Sequence, residues 1–336
     1  MNDEFALIRL IAPKSHFREE LIQGIGDDAA LFQMEDAFAS VAAADMFVEG
    51  IHFKRETMNV YHVGFKALAA NLSDLAAMGA IPMFYLVSIA IPKTGFNKIE
   101  LQDLYQGMGD LASEFQVDLI GGDTVATLDA LAISVTAIGK VEKTRRLLRS
   151  NAQKGDVIFV TGSLGGSAAG LSLLLEKGKN STYGEQEMRL IEQHIMPKPQ
   201  IHAGRIFAKL NCRVALNDIS DGIASEAYEI AEASGKKLII DFEKIPKHPA
   251  LRLFSKAKAE QFVLYGGEDF QLLGCVPEQN WRDVQSRFKA AGIPLAEIGY
   301  VEDGKAGVYL LKNGVMEKLQ KRGYNHFKPN ESGVAE

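Results

Sequence analysis

Asp74 is the only charged residue between Ala67 and Pro92, in the stretch Asn71-Leu72-Ser73-Asp74-Leu75-Ala76-Ala77-Met78-Gly79-Ala80. A lone carboxylate among apolar neighbours is costly to ionise unless it meets a partner, a hydrogen bond or a metal. Other acidic residues recur at turn-like punctuation: Asp27 and Asp28 after Gly26, Asp45, Asp123 after Gly121-Gly122, Asp218 and Asp221 before Gly222, and Glu268-Asp269 after Gly266-Gly267. Carboxylates on tight glycine turns hold hard cations such as Mg²⁺, with waters and substrate phosphates completing the shell. Each one alone also reads as a turn or cap residue, and spacing does not by itself bring them together.

The remaining candidates are weaker. Gly162 to Gly170 is a glycine-rich strand-to-helix loop suited to an anion at a helix N-terminus, although it matches neither the Walker A nor the GxGxxG pattern. Arg145, Arg146 and Arg149 form the densest basic cluster and suit either phosphate or a solvated linker face. His52 follows a strand-loop. There is no GxSxG elbow, and neither Cys212 nor Cys275 has a neighbouring histidine. Many carboxylates, glycine turns and no nucleophile suit a reaction whose ligands bring the reactive groups. Phosphoryl transfer between bound phosphates is such a reaction.

The elements that must position these residues alternate. Segments 3–12 and 16–23 read as helices, and Phe38 to Phe47 as a strand ending in Asp45. Residues 59–78 have helical spacing, with Val63, Ala67, Ala70 and Asp74 on one face. Asp74 therefore points with the apolar residues, near the helix C-terminus where the dipole disfavours an anion. A strand (83–91), a helix (98–115), a strand (117–120) breaking at Gly121-Gly122-Asp123-Thr124 and a strand over Ala130 to Val141 follow. In the second half strands are expected at 156–161, 214–217, 237–242, 271–276, 295–302 and 306–311. Helices are expected from about Ala168, at 184–195, 199–210, 223–234 and 278–291. The pattern indicates an α/β or α+β chain. The polar run from Glu142 to Ser150 divides it into domains 1–142 and 150–330.

Composition narrows the function classes. A net charge of −6 offers no basic footprint for nucleic acid. Two cysteines make neither a disulfide framework nor a zinc site, which fits a reducing cytosol. The N-terminus carries no signal-peptide pattern. Leu75 to Pro92 is uncharged, but Gly79, Pro82 and Pro92 break it into helix, turn and strand, so no membrane span is expected.

Gly24 to Ala30, Asp45 with Glu49-Gly50-Ile51-His52-Phe53, Asn71 to Gly79, Gly121-Gly122-Asp123-Thr124, Thr161 to Leu171, Asp218 to Gly222, Gly266 to Phe270 and Gly323-Tyr324-Asn325-His326-Phe327 run in order through the chain. Together they resemble the thiamine-monophosphate kinases, of the aminoimidazole ribonucleotide synthetase-like superfamily. The resemblance implies a two-domain fold whose N-terminal sheet pairs with its mate in a homodimer and whose C-terminal domain closes the cleft. It implies ATP-dependent phosphorylation of thiamine monophosphate in the cytoplasm. By matched motif, Asp28, Asp45, Asp74, Asp123, Asp218 and Asp221 would hold several Mg²⁺ ions, with Asp74, Asp45 and Asp123 at the catalytic centre. Gly122, Asp123, Arg149 and Ser220 would contact ATP; His52, Glu268 and Tyr324 would contact the thiamine substrate. The family usually has Ser/Thr-Thr before the Asp45 position, where this chain has Ala43 and Ala44; their backbone carbonyls survive as metal ligands and the hydroxyls do not. Gln200 stands where the family often has Arg. Selenophosphate synthetase would want a reactive cysteine in the N-terminal glycine loop, and the hydrogenase-maturation relative a C-terminal one. Neither is present. Aminoimidazole ribonucleotide synthetase and a non-catalytic Mg²⁺-nucleotide binding protein are the other readings.

Overall fold

A computed structural model describes residues 11–25, 30–145 and 147–322. Two sheets frame the described chain. The first has four strands in the order β3 (Phe38–Val48), β6 (Ala132–Glu142), β4 (Ile81–Pro92), β5 (Asp118–Thr127). The second has seven, ordered β13 (Val315–Lys318), β12 (Gly307–Lys312), β9 (Lys237–Asp241), β11 (Leu295–Glu302), β7 (Asp156–Thr161), β10 (Leu272–Pro277), β8 (Ala215–Asp218). A short hairpin of β1 (Leu21–Gln23) and β2 (Leu31–Phe32) stands apart.

The helix α1 (Val60–Ala77) lies between the two sheets. It is apolar nearly all round and almost wholly buried, as expected of a helix with packing on every side. Its Gly64 and the Gly107 of α2 (Lys98–Phe115) let the two helices touch backbone to backbone. A Cβ at Gly64 would stand 1.9 Å from the Leu104 carbonyl oxygen, and one at Gly107 1.9 Å from that of Tyr61. Asn97 starts α2 with a capping box to Glu100.

Strand β7 is buried throughout, and its alternating side chains divide the core. Val157 and Phe159 join the cluster of α1, α5 (Ile201–Ala208), α8 (Trp281–Ala290) and the first sheet. Phe159 stacks on Phe207 at 4.6 Å, and Phe207 meets Phe288 at 4.7 Å. Ile158 and Val160 face α3 (Gly166–Lys177), α4 (Glu185–Ile195), α6 (Ile223–Ser234) and α7 (Lys256–Tyr265).

Two expectations are corrected and one helix is added. Residues 16–23 are not helical: the Asp118 carboxylate accepts the Phe17 and Arg18 amides at 2.7 and 2.8 Å, and Leu21 begins a strand paired with Phe32. That hairpin packs over Met83, Phe84 and Ile120. Strand β5 does not break at Gly121 but runs on to Thr127 past a bulge opposite Tyr85 and Leu86. Gly122, at φ +154°, lies so close to β4 that a Cβ would meet the Val87 carbonyl oxygen at 1.9 Å, so this glycine tightens the strand pair instead of ending it. Helix α7, unassigned above, starts at Ser255, whose hydroxyl accepts the Lys258 amide. No described helix is long and apolar enough to cross a membrane.

Candidate functional site

Three carboxylates from different elements meet where α1 crosses between the sheets. Asp45 lies on the inward face of β3 just before the buried Phe47, Asp74 sits in the last turn of α1, and Asp218 closes β8. Burial raises Asp45 above the usual carboxylate range. Burial, then the charges of Asp218 and Asp45, push Asp74 up to about 8, with Arg149 opposing. Burial pushes Asp218 up to about 6, against the Ser73 hydroxyl, which donates to its Oδ2 at 2.7 Å, and against Arg149. These are oxygen donors carrying more negative charge than their surroundings neutralise, the chemistry a hard divalent cation satisfies. Among the described residues no three acidic, histidine or cysteine side chains close tightly enough to enclose one ion by themselves. The set therefore fits an ion that completes its shell with water and phosphate.

Backbone geometry decides what Ala43 and Ala44 can offer. The Asp45 amide donates to Asn71 Oδ1 at 3.1 Å instead of entering the ladder to β6. In an antiparallel pair such residues alternate, so the Ala43 carbonyl also points off the free edge of β3 while Ala44 is bonded to its ladder partner Thr136. Asp123 stands apart from the three carboxylates. It is exposed on the outer strand β5, and its register line through Ser88, Ser134 and Met46 lies on the pleat opposite Asp45. Its Oδ1 accepts the Thr124 amide.

Beside Asp218 a polar cluster surrounds Arg149. Its Nε donates to Asn217 Oδ1 at 2.9 Å and its guanidinium pairs with Glu229 at 2.7 Å. The Asn217 amide reaches Glu226, which also accepts the Ser220 hydroxyl at 3.3 Å and the Asp221 amide at 3.1 Å. Burial and the neighbouring Glu229, Asp218 and Asp221 carboxylates push Glu226 up to about 8. Ser220, Asp221 and Arg149 are thus held in one network.

The glycine-rich loop at the start of α3 is already filled by the chain's own Asp269 carboxyl, which burial pushes up to about 7 against the loop amides. Asp269 accepts the Gly165 and Ser167 amides at 2.6 and 3.1 Å, which removes the phosphate site read there from sequence. The adjoining Glu268, 29 % exposed, binds Lys66 of α1 at 2.6 Å. His52 lies after β3, its Nδ1 accepting the Val48 amide at 3.1 Å. Asp28 and Tyr324 lie outside the described residues. Sequence reasoning missed Lys66, His194, Asn217 and Glu226. Lys66 had a signal, since it is the cation that opens the apolar run of α1.

The fold and this junction define a class. The chain matches the family described as AIR synthase related protein, N-terminal domain over residues 26–141 and C-terminal domain over residues 153–312. Thiamine-monophosphate kinase of Bacillus subtilis (strain 168) is 43% identical over 328 residues, spanning 97% of this chain and all of that one. The crystal structure of thiamine-monophosphate kinase from Stenotrophomonas maltophilia K279a superposes with a TM-score of 0.82 at 32% identity, over 93% of this chain and 96% of that one. A structure described as AaThiL complexed with AMPPCP and TMP gives 0.77 at 31% identity, over 96% and 97%. The chain belongs to the thiamine-monophosphate kinase family of AIR synthase related proteins.

Proposed function

We propose that this chain transfers the γ-phosphoryl group of ATP to thiamine monophosphate, giving thiamine diphosphate and ADP. The family membership supports the activity, together with the relative bound to AMPPCP and TMP. The observation that carries it is the convergence of Asp45 from the first sheet, Asp74 from α1 and Asp218 from the second sheet on one half-buried to buried region, near enough for their charges to raise one another. A phosphate oxygen of thiamine monophosphate attacks the γ-phosphorus in line; the bond from phosphorus to the β–γ bridging oxygen breaks, and ADP leaves with that electron pair. A phosphate monoester with a second pKa of about 6 is already anionic at neutral pH, so no dedicated base is required. The obstacle is repulsion between polyanions. Asp45, Asp74 and Asp218 would hold Mg²⁺, with Asp28, Asp221 and the Ala43 carbonyl, and Asp123 on its separate pleat would hold another ion. When bound, Mg²⁺ neutralises the phosphate charge.

Arg149, Ser220, Asp123 and the Gly122 backbone would orient ATP, while His52, Glu268 and Tyr324 would hold the thiamine end. We assign residues 1–142 and 150–330 as the two domains. Pairing of the four-stranded sheet with that of a second copy would cover the exposed Met46 and Val125 on its strands. The cytoplasm is the proposed compartment. The test is purified protein with ATP, Mg²⁺ and thiamine monophosphate, followed by chromatography for thiamine diphosphate. ATP binding without that product would replace the kinase reading with a nucleotide-binding one.

A further inference from the structure

Lys66 has no role in the phosphoryl-transfer machinery described above, yet its side chain is completely buried. It lies on α1 roughly two turns, or about 12 Å, before Asp74. A buried ammonium costs several kcal/mol unless its partners are well placed. Its Nζ donates to Glu268 Oε2 at 2.6 Å and stands 3.3 Å from His194 Nδ1, the same nitrogen that lies 3.1 Å from the Ser167 hydroxyl. Burial and the Lys66 charge hold the pKa of the His194 ring well below its usual range, and the Glu268 carboxylate faces both Lys66 and His194.

Glu268 is built into an uncommon backbone. It has φ +64° and Phe270 has φ +47°, a region where non-glycine residues persist when their surroundings over-determine them. The Glu268 amide donates to the Ser220 carbonyl at 2.7 Å and the Phe270 amide to the Ile219 carbonyl at 2.9 Å. Asp269 between them is locked onto the start of α3. The fully buried Lys66 holds Glu268 Oε2 while the Glu268 side chain as a whole stays 29 % exposed. The same α1 therefore presents Asp74 near its C-terminal end and, further back, the cation that aims a carboxylate outward. That separation suits a ligand with a phosphate at one end and a ring system at the other.

We propose that Lys66 is a positioning residue for the ring end of the acceptor: it holds the Glu268 side chain aimed outward to receive the amino-bearing, cationic heteroaromatic portion of thiamine monophosphate. The proposal rests on the kinase reading and deepens its substrate side.

The experiment measures KM for thiamine monophosphate, KM for ATP, kcat and melting temperature for wild type, Glu268→Gln, Lys66→Met, Lys66→Gln and the Lys66→Met/Glu268→Gln double variant. A charge-assisted contact predicts that Glu268→Gln and both Lys66 variants each raise KM for thiamine monophosphate by about tenfold or more, with KM for ATP within about twofold. The double variant should be no worse than the worse single, because one residue acts through the other. Lys66→Gln retains a donor for Glu268 and His194, so it keeps the test decisive if Lys66→Met does not fold. An unchanged KM in Glu268→Gln would overturn the substrate assignment itself. A raised KM in Glu268→Gln with no change in the Lys66 variants, additive effects in the double variant, or equal rises for both substrates would overturn the role of Lys66 and leave it a tie between domains.

Discussion

Replacing Asp74 with Asn should both abolish turnover and stabilise the metal-free protein, a pairing that an ordinary structural aspartate would not show. In the fold the carboxyl is pushed from 3.8 up to about 8, first by burial and then by Asp218 and Asp45. A folded-state value above the unfolded one means that ionised Asp74 destabilises the fold. The penalty is absent below the unfolded value near pH 4, grows between the two, and is complete above about pH 8. The whole shift corresponds to at most roughly 6 kcal/mol. Because the repulsion is shared with Asp218, roughly 3 kcal/mol is the share expected to vanish in Asp74→Asn. A chain of 336 residues has an unfolding entropy of roughly 0.7 kcal/mol per kelvin, so the variant should melt about 4 °C higher than wild type at pH 8 in chelator. The advantage should fall by more than half at pH 5. Mg²⁺ at about 100 times its Kd should stabilise wild type by about 2.7 kcal/mol and the variant far less. Turnover should fall by about 10³-fold. Differential scanning calorimetry with and without Mg²⁺, at both pH values, is the assay. A variant that melts lower than wild type at pH 8 in chelator, or one that Mg²⁺ stabilises equally, would refute the charge argument.

Three further outcomes follow from particular contacts. Ser73→Ala removes the hydroxyl that donates to buried Asp218 and should cost about 1–3 kcal/mol in urea unfolding while lowering kcat. Arg149→Met breaks the bonds to Asn217 and Glu229 and should raise KM for ATP by about tenfold with KM for thiamine monophosphate little changed. Gly122→Ala forces a Cβ into the Val87 carbonyl oxygen and should destabilise the protein by more than about 2 kcal/mol, seen as a lower melting temperature without any change in metal dependence.

What was legible in the sequence was local. Helix α1 could be read from its 3.6-residue pattern, and Asp74 from being the one charge in an apolar stretch; β11 and α6 could be read from periodicity and turn chemistry. What was not legible depended on contacts between distant residues. Lys66 finds Glu268 across 202 positions, and Asp269 fills the α3 N-terminus across 104, so a loop that looks ready for phosphate is closed by the chain itself. Gly121-Gly122 looked like a strand end, because sequence does not show that the Val87 carbonyl presses against Gly122. The amide of Asp118's distant partner Phe17 turned an apparent helix into a turn for the same reason.

The most direct measurement follows the phosphorus itself. In a single turnover with γ-labelled ATP, thiamine monophosphate and Mg²⁺, the label should appear in the terminal phosphate of thiamine diphosphate at the rate ATP disappears, with none on the protein. Label retained on the protein, or released only as inorganic phosphate, would contradict direct in-line transfer.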